Sequence, residues 1–83
     1  MRKKIINVFN EAVIDYKEYS RVDFLEKGFS IFNVICVNNK YIEVDDSCNI
    51  LLIWDMKGNF IKAICGKSFY SMMFKLGMYI SNK

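Results

Sequence analysis

Ile31-Phe32-Asn33-Val34-Ile35-Cys36-Val37, then Asn38-Asn39, then Tyr41-Ile42-Glu43-Val44: the reading of this stretch decides the fold. The first run is rich in β-branched and aromatic residues and apolar on both faces except at Asn33, which predicts a strand. Two successive asparagines suit a tight hairpin turn, because Asn tolerates positive φ. On the return, Ile42 and Val44 fall on one face and Tyr41 and Glu43 on the other. A β-hairpin is the result.

Downstream the pattern repeats. Asp45-Asp46-Ser47-Cys48-Asn49 is a turn cluster, Ile50 to Trp54 a third strand, Met56-Lys57-Gly58-Asn59 a second hairpin loop, and Phe60 to Cys65 a fourth strand. Each connection is too short for a parallel crossover, so the strands form an antiparallel meander.

Upstream the period is that of a helix. Over residues 3–19, Ile5, Phe9, Ala12, Val13, Tyr16 and Tyr19 form one stripe, with Asn7, Asn10, Glu11, Lys17 and Glu18 opposite. Ser20 and Asp23 have capping-box spacing and Gly28 suits a C′ position, which predicts a short helical turn over 21–27. After Gly66, Ser68 opens a last helix over 69–80 with a core stripe of Phe69, Met72, Met73, Leu76 and Ile80. A second stripe, Tyr70, Phe74 and Met78, lies about 120° away with Gly77 between them. One sheet face cannot cover both stripes. Either the N-terminal helix wraps the second, or another chain does. The expected fold is one α+β domain over 1–83: helix, four-stranded antiparallel meander, helix, with both helices on one sheet face.

Composition narrows the chemistry. The 83 residues are 53% hydrophobic and 25% charged with a net charge of +3, which fits a single folded domain and excludes a disordered chain. There is no His, so Ser-His-Asp and Cys-His nucleophiles and imidazole metal ligands are excluded. Three cysteines, Cys36, Cys48 and Cys65, lack C-x-x-C spacing and read as reduced thiols in a cytoplasmic protein, two of them in the core. No apolar run approaches a membrane span, and neither a cofactor nor a metal is expected.

Phe, Tyr, Met, Ile, Asn and Lys supply 46 residues, whereas Gly, Ala, Arg and Pro supply 8. That bias follows AT-rich codons and points to a low-GC bacterium, or to a phage or plasmid living in one. Charge is uneven too: residues 1–46 carry a net −1 and residues 47–83 a net +4.

Two patterns suggest chemistry. Asp45 and Asp46, followed by the apolar run Ile50 to Trp54 and then Asp55-Met56-Lys57, are similar to the core of PD-(D/E)xK nucleases. The resemblance implies Asp46 and Asp55 as Mg²⁺ ligands, Lys57 as the catalytic lysine, and Glu11 or Glu18 as the helix carboxylate. Separately, Lys57, Lys62, Lys67 and Lys75 near Tyr70 and Phe74 suit a single-stranded nucleic acid, although Arg is scarce.

The reading preferred over both is a small non-enzymatic inhibitor or adaptor. It would be encoded by a phage or mobile element, in the manner of anti-CRISPR proteins, and act on a host protein or protein–nucleic-acid complex. Glu43, Asp45, Asp46, Lys62, Lys67 and Lys75 are its candidate partner contacts. Tyr70, Phe74, Gly77 and Met78 are the expected contacts of a homodimer.

Overall fold

The computed structural model describes residues 1–81. The chain runs α1 (Arg2–Glu11), β1 (Lys17–Phe24), β2 (Phe29–Val37), β3 (Lys40–Asp45), β4 (Ile50–Trp54), β5 (Phe60–Cys65) and α2 (Phe69–Ser81). All five strands form one antiparallel sheet in the order β1-β2-β3-β4-β5. The architecture is α+β, an N-terminal helix, an antiparallel meander and a C-terminal helix, with one strand more than the sequence pattern predicts.

The added strand corrects the reading of residues 12–24. The first helix stops at Glu11 because Val13 turns left-handed, at φ 56°. Past that point Tyr16 and Tyr19 continue the helical spacing only by coincidence. Lys17–Phe24 instead pairs with β2, from Lys17 opposite Cys36 to Phe24 opposite Phe29. Asp23 of the supposed capping pair serves this hairpin instead, accepting hydrogen bonds from Arg21 Nε on its own strand and from the Ser30 hydroxyl on the next. Gly28 does adopt positive φ (77°), but it closes a hairpin rather than a helix.

Side-chain alternation gives the sheet two faces. On the first, Ile5 and Phe9 of α1 and Met72 and Leu76 of α2 pack on Ile35, Val37, Ile42, Val44, Leu51, Ile53 and Ile64. Each such burial contributes about 1.5–3 kcal/mol, and this is the main core.

The second face is covered by the chain's own hairpin. Asn33, at φ 59°, interrupts β2, and its side-chain amide donates to the Val44 carbonyl at 3.0 Å. Beyond Asn33 the β1–β2 hairpin turns over the sheet as a flap. Phe24 comes within 5.8 Å of the Tyr41 ring and 6.4 Å of Trp54, and Phe29 within 5.3 Å of Trp54. At the tip, Lys27 Nζ donates to Asn59 Oδ1 at 2.6 Å. Gly58, at φ 89°, lies so close beneath that a Cβ there would meet the Phe24 ring at 2.7 Å. Phe24, Ile31 and Val34 are thereby buried in a second, smaller core with Val22, Tyr41 and Trp54 at its margin.

Both asparagines of the predicted β2–β3 turn take positive φ, 50° and 59°. Ser68 caps α2, its hydroxyl accepting from the Ser71 amide at 3.2 Å. Cys65 is a correction: it is exposed because it ends the edge strand β5, while Cys36 is half-buried. No helix among the described residues is long and apolar enough to cross a membrane.

Candidate protein-binding face

α2 is apolar on nearly all sides, yet only one side is used. Met72 and Leu76 are fully buried, and Phe69, Met73, Tyr79 and Ile80 are packed against the same core. Tyr70 is 83% exposed, Phe74 69% and Met78 53%. These residues recur every fourth position and therefore stand above one another as a strip along the helix. Gly77 is exposed beside them. The first helix does not cover the strip.

One flank of the strip is basic. Lys62 on β5 lies over the Tyr79 ring, 5.4 Å from its centre. Lys75 Nζ donates to the Cys65 carbonyl at 2.8 Å. Lys67 is exposed in the turn leading into α2. No ion pair involves these three lysines among the described residues. Between β5 and α2 runs a groove of about 420 Å³ lined by Lys62, Ala63, Ile64, Cys65, Lys75, Met78 and Tyr79.

The acidic candidates are elsewhere and are occupied. Glu43 lies under the flap, where its carboxylate accepts from Trp54 Nε1 at 3.2 Å and from the Phe32 amide at 3.5 Å. Asp45 accepts from the amide and hydroxyl of Ser47, and those bonds hold its carboxyl below the usual range. Asp46 is 2.8 Å from the Met1 ammonium. Three of the six candidate partner contacts thus serve turns, the flap or an ion pair, and the three lysines gather around one helix.

The nuclease set is not brought together. Asp46 precedes β4 and Asp55 follows it, and a strand of that length spans on the order of 13 Å. Asp55 caps its own turn, accepting from the amides of Lys57 and Asn59 at 2.8 and 2.9 Å and from the Asn59 side chain at 2.9 Å. The backbone bond from Asn59 and then its side chain hold the Asp55 carboxyl below the usual range. Lys57 is exposed on that turn, Glu11 ends α1, and Glu18 sits 3.8 Å from Arg2. Among the described residues no group of three Asp, Glu or Cys side chains is placed to hold a metal ion.

The helix wheel finds the strip. It does not find the groove, because the groove depends on how α2 lies along β5, which no local pattern encodes. No family model matches the chain, and no significant match is found among curated proteins or solved structures.

Proposed function

We propose that this chain is a small non-enzymatic protein-binding module, an inhibitor or adaptor, that engages its partner through the exposed side of α2. The observation that carries the reading is the strip itself: Tyr70 and Phe74 stand open to solvent on a helix whose opposite side is sealed in the core. Contiguous apolar surface rimmed by charge is the usual signature of a protein contact. The AT-biased composition is compatible with a mobile element of a low-GC bacterium, and on that reading the target is a host defence system in the cytoplasm.

The size of the strip favours a foreign partner. Large side chains such as these offer about 150–250 Å² each, so Tyr70, Phe74 and Met78 at these exposures present on the order of 400 Å². A standard interface needs about 800 Å² from each side. The shortfall is met by a partner that also engages the lysine flank, whereas a second copy would face those lysines with its own. Self-association remains the second reading, carried by geometry: an antiparallel two-fold pair of α2 helices sets Phe74 on Phe74 and Tyr70 on Met78.

Two measurements test this. In a bacterium with an active defence system, expression of the chain should raise phage plating, and Phe74→Glu should abolish that effect while leaving the circular dichroism spectrum unchanged. No rise across several defence types overturns the inhibitor reading. Light scattering at micromolar concentration should show a 9.8 kDa particle. A particle of twice that mass, dissociated by Phe74→Glu, replaces the foreign partner with a second copy on the strip.

A further inference from the structure

β5 is an edge strand that pairs with β4 on one side only, so alternate backbone groups along its other side have no strand partner. The groove between β5 and α2 is lined by four consecutive residues of this edge strand, Lys62 to Cys65. Its floor and walls combine apolar surface from Ile64, Met78 and Tyr79 with two ammonium groups, Lys62 and Lys75. Residues 56–81 contain four lysines and no carboxylate, so nothing nearby in the sequence neutralises them. Lys75 is held at the far end of the edge by the Cys65 carbonyl, and Lys62 stands midway along it over Tyr79.

From these observations we infer that the β5–α2 groove accepts an extended acidic segment of a partner protein, added to β5 as a sixth strand. The inference rests on the protein-binding reading above and specifies the chemistry of the partner. Backbone hydrogen bonds to the open edge would supply affinity, and alternate side chains pointing toward α2 would supply specificity. Those side chains meet Met78 and Tyr79 flanked by Lys62 and Lys75, so an apolar residue with carboxylates beside it fits. The opposite edge differs: β1 carries Lys17, Glu18, Arg21 and Asp23, and Arg21 is already paired with Asp23 at 2.6 Å. A central lysine on an edge strand also disfavours pairing with a second copy, since two copies of Lys62 would meet across the axis.

The test uses short terminally blocked peptides that alternate valine with glutamate or with lysine, fluorescein-labelled and followed by polarisation. The glutamate series should bind and the lysine series should not. N-methylation of every second amide should abolish binding in one phase and spare it in the other, which charge attraction alone would not do. Lys62→Glu with Lys75→Glu should weaken the glutamate peptide by roughly tenfold or more and admit the lysine peptide. Equal binding of both charges, indifference to N-methylation, or no binding of the glutamate peptide overturns the inference. Loss of phage protection in Phe74→Glu with no peptide binding leaves the module reading intact and removes only the added strand. Peptide binding with no phage protection by any variant does the reverse.

Discussion

The helix-covered face of the sheet and the flap-covered face solve the same burial problem by different means. On the first, α1 and α2, drawn from the two ends of the chain, seal aliphatic residues such as Leu51 and Ile53 completely. On the second, a single hairpin bends at Asn33 and lays aromatic residues on Tyr41 and Trp54, leaving Phe29 and Tyr19 more than a third exposed. The first core binds together elements distant in sequence, and the second holds one local hairpin to the strands beside it. The lesson is one of cooperativity: losing the first core unfolds the protein, whereas losing the second can release the flap alone.

The strongest test of that contrast is Leu51→Ala. It opens a cavity where helices and sheet meet, so urea unfolding should show about 2–5 kcal/mol lost, with every element melting together. Retention of native stability would show the main core to be loosely packed and the contrast misplaced.

Gly58→Ala attacks the flap from below with one methyl group. The new Cβ would clash with the Phe24 ring, and the left-handed backbone at Gly58 is strained for alanine. The expected loss is about 1–3 kcal/mol. Hydrogen exchange should accelerate in residues 20–32 while the amides of β3 and β4 keep their protection. Uniform acceleration across the sheet would mean that the two cores are a single cooperative unit.

A smaller effect is expected at Glu43, whose carboxylate ties Trp54 to the flap. Glu43→Ala should cost about 1 kcal/mol, read from the urea midpoint, and should leave α2 protection unchanged.

The smallest effect concerns acid. Asp23, held low by Ser30 and then Arg21, and Asp55, held low by Asn59, both lie in the flap or under its tip, and Asp45 is held low by Ser47. Each has a folded-state pKa below its unfolded value. Their contribution is therefore complete above the ordinary carboxylate range, near pH 4, and is lost as pH falls through the depressed values. Amides of the flap and of the Asp45 turn should lose protection before the central amides of β3 and β4 do as pH is lowered from about 5 to 2, and Asp55→Asn should flatten part of that slope. An acid response confined to α2 would contradict the assignment.

Much of this was legible in the residues. The meander from Phe29 to Cys65 follows from β-branched runs separated by Asn, Asp and Gly, whose turn chemistry is local. The spare stripe on α2 follows from its wheel. Residues 12–24 were not legible, because Tyr16 and Tyr19, three apart, extend the helical stripe, whereas in the folded chain Tyr16 packs on the main core and Tyr19 on Tyr41 of the other face, and only pairing with β2 decides between the two. One clue did mark the flap: β2 is apolar on both faces, which requires cover on both, and a helical pair supplies it on one. Nuclease-like spacing around Asp46, Asp55 and Lys57 does not by itself bring the three side chains together. Asp46 pairs with the Met1 ammonium and Asp55 caps its own turn at the other end of β4, and sequence proximity is not spatial proximity along an extended chain.

Trp54 is the only tryptophan in the chain, and it sits where the flap meets the sheet, 5.3 Å from both Phe29 and Phe60. The molecule therefore carries its own optical reporter, placed on the smaller of its two cores. Indole emission will follow the docking of the hairpin, while far-ultraviolet dichroism follows the helices sealed on the other side. If the flap lifts first, the emission maximum will move to longer wavelength at denaturant concentrations where the helical signal is still native.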